Sequence, residues 1–396
     1  MGWWSVLALV AVVYWSVVLL LVVRCARALP PISALHDPAP SSWPQLSIVV
    51  PAKNEADDIA AAIHSKLACG YPNLQVVAVD DRSTDATGEI LDRLACADGR
   101  LQVVHVRELP AGWLGKLHAM ERGLSLATGE WVLFSDADVM LDARTLRPLI
   151  AHAEAHAVDL VAVLPGLDAQ RWGADALLGS FMRAICLLGR MWRANDDQSP
   201  IGIGVGAFNL VRRRALDQTP GLAFLRLEIA DDVALGAMLK ASGARCRLFA
   251  GRRDVHLGFY ATLRAAAKSW EKFGTVFEFT LWRPLLFVSL LLAVELGFPL
   301  LGIAMGGLGL WLAACAWLAA GFAHLLLARH LSLPRRGALL WPLGSLLLAL
   351  LLIRAAWVTS RAQGIDWRGT FYSRAELLAG RRFYAGRLIA PGRVAR

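Results

Sequence analysis

Four groups of polar side chains have types and spacings that suit them for chemistry. They are Asn54 and Glu55 after Pro51, the pair Asp80 and Asp81, the pair Asp136 and Asp138, and the pair Asp231 and Asp232. Carboxylates at positions i and i+2 can share one hard cation, and such oxygen ligands suit Mg²⁺ or Mn²⁺ on a substrate phosphate. A carboxylate at a helix start can also accept a proton from a hydroxyl. The groups therefore indicate a metal-assisted reaction on a phosphate-bearing substrate.

Adjacent carboxylates repel each other, so Asp80 and Asp81 need a cation or hydrogen-bond donors nearby. The base N–H and the ribose hydroxyls of a nucleoside are suitable donors. Each group also has a structural alternative: an ordinary turn for the first, helix capping for the second, a solvated loop for the third and an N-cap for the fourth. The solvated loop is the weakest of these alternatives, because Phe134 and Ser135 lead from an apolar run directly into Asp136.

The elements that must position these groups are short apolar strands that alternate with helical runs. The strands are predicted at residues 46–50, 74–79, 101–106, 131–135 and 160–164. Buried strands alternating with helices predict an α/β domain with a mainly parallel sheet and helices on both faces. Ligands of such sheets bind beyond the carboxyl ends of the strands, and the first three polar groups follow strands at those ends.

The composition also indicates that the protein is associated with a membrane. Of the 396 residues 56% are hydrophobic and 18% are charged, which is too apolar for an ordinary soluble protein. Long apolar runs predict an N-terminal transmembrane anchor (1–28), a linker (29–45), the α/β domain (46–284), C-terminal transmembrane helices (285–357) and a basic juxtamembrane tail (358–396). Much of the +9 net charge flanks these runs, which indicates topology signals and lipid contacts and argues against nucleic-acid binding.

The topology of these runs contains a conflict. The first run lacks a positive n-region, so we expect a retained anchor, with Arg24, Arg27 and the α/β domain in the cytoplasm. Three later spans would then place the basic tail outside, against the positive-inside rule. We therefore expect one run to be re-entrant or interfacial and the tail to be cytoplasmic. Glu295 and His324 lie within the runs and are candidates for contact with a lipid acceptor, unless they sit near an interface.

Taken together, the order and spacing of the polar groups resemble the family 2 glycosyltransferases of the GT-A fold. The matching segments are residues 50–55, 79–85, 136–138 and 231–236. Residues 112–119 (Gly-Trp-Leu-Gly-Lys-Leu-His-Ala) look like a stretch of membrane-bound lipid glycosyltransferases, which act on ceramide, hopanoid, carotenoid or related isoprenoid acceptors. Residues 365–372 look like the juxtamembrane tail of those enzymes.

The resemblance implies roles for individual residues. A nucleotide-sugar donor, such as a UDP-sugar, would be held by Pro51, Asn54, Glu55, Asp80 and Asp81, with Lys116 near its diphosphate. Asp138, helped by Asp136, would bind Mg²⁺ or Mn²⁺. Asp232 would be the general base, but relatives often carry Glu-Asp at this position, so Asp231 stays open as the base. The resemblance also implies inversion at the anomeric carbon.

Two rival functions remain beside transfer of a single sugar to a lipid alcohol. A polyprenyl-phosphate glycosyltransferase would need basic groups at the mouth of the pocket, and Arg212, Arg213 and Arg214 are the candidates. A non-catalytic nucleotide-binding membrane protein is less consistent with a complete set of clustered carboxylates. The Gln-x-x-Arg-Trp motif of processive polysaccharide synthases is absent after Asp232, which favours single-sugar transfer.

Overall fold

The computed structural model of this chain describes residues 2–168, 171–260, 262–384 and 387–388. The residues divide into two compact units. A sheet unit contains Leu29–Gly166, Arg193–Leu257 and Glu376–Arg396, and a helical unit contains Met1–Ala28, Leu167–Trp192 and Gly258–Ala375. Residues 385–386 and 389–396 of the predicted basic tail lie outside the described residues.

Twelve strands occur in the described residues. They are β1 (Leu46–Ala52), β2 (Leu74–Asp81), β3 (Leu101–Val106), β4 (Trp131–Phe134), β5 (Met140–Leu141), β6 (Leu160–Asp168), β7 (Asn209–Arg212), β8 (Cys246–Gly258), β9 (Gly364–Trp367), β10 (Thr370–Ser373), β11 (Phe383–Tyr384) and β12 (Arg387–Leu388). The five strands predicted from the sequence correspond to β1, β2, β3, β4 and β6.

The α-helices of the same residues are, in chain order, α1 (Trp3–Ala28), α2 (Ile59–Leu67), α3 (Thr87–Ala97), α4 (Gly115–Leu126), α5 (Leu146–Ala155), α6 (Trp172–Leu188), α7 (Arg213–Asp217), α8 (Asp231–Ala241), α9 (Leu263–Ser269), α10 (Trp282–Leu292), α11 (Phe298–Met305), α12 (Gly307–Leu331), α13 (Arg335–Leu339), α14 (Trp341–Ala362) and α15 (Arg374–Gly380). A π-helical turn at Ala293–Gly297 joins α10 to α11.

The sheet unit is built on an eight-stranded sheet with the strand order β3-β2-β1-β4-β7-β6-β8-β5. The pairs β3–β2, β2–β1 and β1–β4 are parallel, whereas β7 pairs antiparallel with both β4 and β6. Parallel neighbours bring the carboxyl ends of β1, β2 and β4 to one edge, where the first three polar groups emerge. The predicted α/β class, with a mainly parallel sheet, is confirmed.

Helices cover both faces of this sheet. On one face, Ile63 of α2 and Ile150 of α5 share a buried cluster with Ile48 of β1. On the other face, α4 lies so close to β1 that a Cβ at Gly123 would collide with the side chain of Val49. Burial on both faces explains why the central strands are continuous apolar runs instead of alternating patterns.

The helical unit contains four helices that are long and apolar enough to cross a membrane. They are Trp3–Ala28, Trp282–Met305, Gly307–Leu331 and Trp341–Ala362, which confirms the four apolar runs predicted from the sequence. Small residues allow these helices to pack closely. The backbones of Gly302 on α11 and Gly309 on α12 are in direct contact, because neither residue has a side chain to separate them.

A buried ion pair ties this helical unit together. Arg183 Nη1 on α6 lies 2.8 Å from Oε1 of Glu295, which the π-helical turn carries. The hydroxyls of Tyr14 and Ser345 donate to the two oxygens of Glu295 at 2.7 Å and 2.6 Å. Glu295 was a candidate for contact with a lipid acceptor, but its carboxylate already has three internal partners. Its carboxylate therefore connects α1, α6 and α14 through these three contacts.

The units differ from the predicted division of the chain in one respect. The sequence predicted a single α/β domain over residues 46–284, yet Leu167–Trp192 and Gly258–Ala375 group with the apolar helices. The reason for α6 lies in its partners, because Arg183 pairs with Glu295 and Asp175 pairs with Arg336. Such pairings join segments far apart in sequence, so the hydropathy of residues 172–188 does not indicate them.

Candidate active site

The loops after β1 and β2 are tied to each other at the carboxyl edge of the sheet. Asn54 has a φ of 55°, its N–H donates to Ser83 Oγ at 3.0 Å, and its Oδ1 accepts the N–H of Thr84 at 2.8 Å. The N–H of Glu55 donates to Thr87 Oγ1 at 2.8 Å. Asn54 therefore holds the second loop in place. Its amide oxygen is engaged within the protein.

Pro51 precedes these loops within β1 and pairs with Val79 of β2. Proline lacks an N–H, so it normally occupies strand positions at which no donor is needed. The pairing of β1 with β4 ends at Val49, two residues before Pro51, whereas the pairing with β2 continues to Ala52, just ahead of the turn at Asn54.

Asp80 and Asp81 end β2 and are both buried. Asp80 accepts the N–H of Ser83 at 3.2 Å and pairs with His105 Nδ1 at 3.0 Å. The hydrogen bond to Asp80 raises the pKa of His105, and a second one to Asp92 adds to this effect. Asp81 is held by Arg82, whose Nε and Nη2 lie 2.8 Å and 3.1 Å from its two oxygens. The predicted need of this pair for donors or cations is thus met by side chains on β3 and on the loop.

Lys116 connects the carboxylates of two separate elements. Its Nζ lies 2.8 Å from Asp136 Oδ1, after β4, and 3.2 Å from Asp231 Oδ2, at the start of α8. Burial alone would lower the pKa of Lys116, but the charges of Asp136, Asp231 and Asp232 outweigh burial and raise it. The lysine is therefore a permanent cation at the point where these carboxylates meet.

The residue before Lys116 connects this cluster to the end of β2. A Cβ at Gly115 would collide with Asp81 Oδ2, so the start of α4 lies directly against that carboxylate. Gly115 and Lys116 are consecutive, which places Asp81 on one side of the turn and Asp136 with Asp231 on the other. The structure thus brings the predicted donor-side and base-side residues to one place.

Asp232 is oriented by main-chain donors. The N–H of Gly206 donates to its Oδ2 at 2.8 Å, and the N–H of Val233 donates to its Oδ1 at 2.8 Å. The loop that carries Gly206 packs tightly here, because a Cβ at Gly204 would collide with the carbonyl oxygen of Asp232. Glycines at 204 and 206 therefore allow this loop to approach the first turn of α8.

Asp231 lies beside Asp232 but has different surroundings. Burial raises the pKa of Asp231 to about 6, and the neighbouring charges of Asp232 and Asp136 act in the same direction, against the attraction of Lys116. The two neighbouring carboxyl groups therefore differ in their surroundings: Asp231 is buried beside Lys116, whereas Asp232 is held by two backbone N–H donors.

Lys66, which the sequence analysis missed, lies under the Asp136–Asp138 loop. It is completely buried on α2, and its Nζ donates to the carbonyl oxygen of Val139 at 2.6 Å. Burial lowers the pKa of Lys66 to about 8, although the charges of Asp138 and Asp136 oppose that change. The signal was its spacing, because Lys66 falls seven residues after Ile59 on the apolar face of α2.

Asp136 and Asp138 are the residues that could hold a divalent cation. Both follow β4 directly, both provide carboxylate oxygens, and both lie within the electrostatic reach of Lys66. A set of hard oxygen donors fits Mg²⁺ or Mn²⁺ better than softer metals. Lys116 pairs with Oδ1 of Asp136, so an ion at this loop would share that residue with the lysine.

The three arginines considered for a phosphate acceptor lie at or just after the end of β7 that pairs with the start of β4. Arg212 pairs with Glu130 at 3.0 Å and with Glu154 at 2.9 Å, and its guanidinium stacks over Trp131. Trp131 is the first residue of β4, whereas Asp136 and Asp138 follow the last one. Arg213 donates to the carbonyl oxygen of Ala127 at 2.6 Å, at the same amino-terminal edge. The described part of the pocket receives no cation from this segment.

Comparison with known proteins decides the family. The model of the family described as glycosyl transferase family 2 matches residues 47–220. This stretch is a family 2 glycosyltransferase domain. The domain includes Asp81, Lys116, Asp136 and Asp138, whereas Asp231 lies beyond the matched region and contacts it through Lys116.

Curated relatives of this glycosyltransferase domain match over shorter lengths. The PGL/p-HBAD biosynthesis glycosyltransferase of Mycobacterium bovis is 37% identical over 153 residues, which cover 36% of this chain and 57% of the relative. The succinoglycan biosynthesis protein ExoO of Rhizobium meliloti is 33% identical over 121 residues, which cover 31% of this chain and 33% of that protein. The chain thus spans between about a third and just over half of the length of these relatives.

A solved structure extends the likeness of the fold to most of the chain. The mannosyltransferase PcManGT from Pyrobaculum calidifontis, solved with GDP-Man and Mn²⁺, superposes with a TM-score of 0.51 at 22% identity. The match covers 90% of this chain and 99% of the other, so the apolar helices belong to the shared fold together with the glycosyltransferase domain.

Proposed function

We propose that this chain is a membrane-bound, inverting glycosyltransferase that moves a single sugar from a nucleotide-diphosphate sugar to a lipid acceptor. The observation that carries the proposal is the position of Lys116, which bridges Asp136 and Asp231 while its neighbour Gly115 lies against Asp81. Groups suited to a nucleotide, a metal and an acceptor hydroxyl thereby meet at one edge of the sheet.

The donor would occupy the carboxyl ends of β1 and β2. Asp80 and Asp81 are buried carboxylates with fixed orientations, and each can accept hydrogen bonds from a nucleoside. The loop at Asn54 and Glu55 is fastened to the loop after β2, so both would present a rigid surface to the base and ribose. PcManGT, which has this fold, binds GDP-Man, and we expect a UDP-sugar or a related nucleotide sugar for this chain.

Asp138 and Asp136 would hold Mg²⁺ or Mn²⁺. Such an ion offsets the negative charge that develops on the leaving nucleoside diphosphate. Mn²⁺ accompanies GDP-Man in PcManGT. Lys116 contributes a second, permanent positive charge between Asp136 and Asp231, and Lys66 balances part of the negative charge from below the loop.

Asp232 would act as the general base. Two backbone N–H groups fix the orientation of its carboxylate, and each of its oxygens keeps a lone pair for an acceptor hydroxyl. As the hydroxyl oxygen forms a bond to the anomeric carbon, the bond to the diphosphate oxygen breaks on the opposite face, and Asp232 takes the hydroxyl proton. Attack from the face opposite the leaving group inverts the configuration. Asp231, which forms an ion pair with Lys116, would contribute to the electrostatic environment of the base.

The apolar helices are the reason for proposing a lipid acceptor. Four helices are long and apolar enough to cross a bilayer, and they would hold the enzyme where a lipid substrate is concentrated. Confinement of both partners to one surface replaces a three-dimensional search by a local one. Arg24 and Arg27 lie at the C-terminal end of the first of these helices, so we place the catalytic domain on the cytoplasmic side of the cell membrane.

The acceptor class can be tested with purified full-length protein in nanodiscs. Labelled UDP- and GDP-sugars are offered with neutral lipid alcohols in one set and polyprenyl phosphate in another, and products are identified by mass spectrometry. We expect a neutral lipid whose mass increases by one hexose, a requirement for Mg²⁺ or Mn²⁺, and no product with Asp138→Asn. A product formed only on polyprenyl phosphate, or only on soluble acceptors, would overturn the assignment to lipid alcohols.

The base is tested by two neighbouring substitutions in the same assay. Asp232→Asn should lower the turnover number by about 100-fold or more, which is the scale of losing a general base. Asp231→Asn should lower it less, because the base itself remains. If Asp231→Asn produced the larger loss, the proton would be accepted one residue earlier than we propose.

A further inference from the structure

A second group of metal-type ligands lies in the sheet unit, away from the catalytic carboxylates. His152 Nδ1 and His156 Nε2 each lie 2.8 Å from one oxygen of the same carboxylate, that of Asp37. The two histidines belong to α5 and the residue that follows its last turn. Asp37 comes from the segment before β1, 115 and 119 positions earlier in the chain.

The spacing and identity of these residues match the requirements of a transition-metal ion. Residues at i and i+4 project from the same side of a helix, so His152 and His156 can bind one ion together. Imidazole nitrogens are good ligands for Zn²⁺, and His with Asp in a tetrahedral arrangement is common for this ion. This set differs chemically from Asp136 and Asp138, which offer oxygen only.

The distances require little adjustment for an ion to enter. The ligand atoms of the three side chains all lie within 4.8 Å of one another. Zinc bonds of about 2.0–2.1 Å to nitrogen and oxygen keep tetrahedral ligand atoms about 3.3 Å apart. The two 2.8 Å contacts would open by about 0.5 Å around an ion, and no pair of ligand atoms has to close from more than 4.8 Å.

One ligand is fixed and another is accessible, which suits reversible binding. The ring of His152 packs edge-to-face against Phe249, a buried residue of β8, with ring centroids 5.4 Å apart. The side chain of His156 is 52% exposed, so an ion can reach the group and a water molecule can complete its coordination.

The group of Asp37, His152 and His156 lies away from the candidate active site. Glu154, between the two histidines in sequence, accepts the indole N–H of Trp131 at 2.8 Å, at the amino end of β4. Asp136 and Asp138 follow the carboxyl end of that strand. An ion at the histidines would therefore lie at the opposite edge of the sheet. It would have a structural role there.

We propose that Asp37, His152 and His156 form a zinc site that fastens the segment before β1 to the end of α5. This segment, residues 29–45, follows the first apolar helix, and Asp37 connects it to α5. A bound ion would strengthen that connection, because a metal links all three side chains at once.

The test uses full-length protein without a histidine tag, carrying Asp138→Asn so that the catalytic ion is weakened. The protein is dialysed against Zn²⁺ and then against buffer, and retained zinc is measured by mass spectrometry. We expect one zinc per chain, a rise in the thermal unfolding midpoint, and the strong visible absorption of four-coordinate Co²⁺ when cobalt replaces zinc. His152→Gln and Asp37→Asn should each lower zinc affinity by at least tenfold.

His64→Gln is the matched control, because His64 is an exposed histidine on α2 outside this group. It should retain zinc. His156→Gln provides a variant at a half-exposed position, where a folding defect is least expected, and it should also lose zinc. Failure of the parent protein to retain zinc, or retention by all three ligand variants, would overturn the proposal. Sugar transfer is not part of this test, so its outcome is independent of the proposed function.

Discussion

Asp231→Asn should make the protein more stable at neutral pH, because Asp231 is ionised there at a cost. Burial raises its pKa from 3.8 to about 6 in the folded protein. A carboxyl whose native pKa is raised binds its proton more tightly when folded, so stability falls as the pH rises from about 4 to about 6. The shift of about two pKa units corresponds to about 3 kcal/mol, and this deficit is complete above pH 6.

Asparagine has nearly the shape of the protonated carboxyl and no charge at any pH. Asp231→Asn should therefore raise the free energy of unfolding at pH 7.5 by up to about 3 kcal/mol and change it little near pH 4. The attraction of Lys116 does not reverse the sign, since the raised pKa already includes it. Stabilisation by removal of a functional charge is the usual trade-off at an active site.

The measurement is thermal and denaturant unfolding in detergent at pH 4.5 and pH 7.5. Asp57→Asn is the matched control, because Asp57 is exposed and lies outside the site. Its effect on the free energy of unfolding, relative to the parent protein, should be the same at the two pH values. A variant at Asp231 that is less stable than the parent at pH 7.5 would refute the reasoning. The ion pair with Lys116 would then outweigh burial.

Two further substitutions test packing around charges. Arg183→Met should destabilise the helical unit by about 3–5 kcal/mol, because it leaves Glu295 buried without its cation; the double variant with Glu295→Gln should recover most of this loss in unfolding assays. Gly206→Ala would place a Cβ 3.0 Å from Asp136 Oδ2 and should lower the turnover number by about tenfold or more, with an unchanged unfolding midpoint.

Much of the sheet unit could be predicted because its physical causes are local. Each central strand is a short apolar run, and a run such as residues 46–50 is bounded by residues that end a strand. The positions of Asp81 and Asp136 at the sheet edge follow from the rule that parallel strands share a carboxyl edge. The same reasoning could not show that Lys116 joins Asp136 to Asp231, since that contact links α4, a loop and α8.

Other features escaped prediction because their causes are not local. The burial of Lys66 was not predicted, because lysine side chains are normally at the surface. Here the positive charge of Lys66 interacts with Asp136, which is 70 residues later in the sequence, and with Asp138. Glu295 was assigned a candidate role in acceptor binding from its position in an apolar run. Its partner Arg183 comes from a segment that the sequence placed in another domain.

The side of the membrane on which the C-terminal tail lies follows from one contact. Glu228 Oε2 accepts the N–H groups of Arg382 and Phe383 at 2.8 Å and 2.9 Å, and all three residues belong to the sheet unit. Tail and sheet must therefore share one side of the bilayer. Three candidate spans separate Leu257 from Glu376, and an odd number of crossings would place them on opposite sides.

We therefore expect that at least one of these three helices does not cross the bilayer, as the conflict in the distribution of basic residues suggested. Hydropathy cannot reveal this, because it measures apolar length and not crossings. An impermeant maleimide on sealed vesicles provides the test, with Cys315→Ser as background. Exposed Cys96 reports on the sheet unit, and Ala379→Cys, in a Cys96→Ser protein, reports on the tail. Both should react from the same side; labelling of the two from opposite sides would mean that all three helices cross.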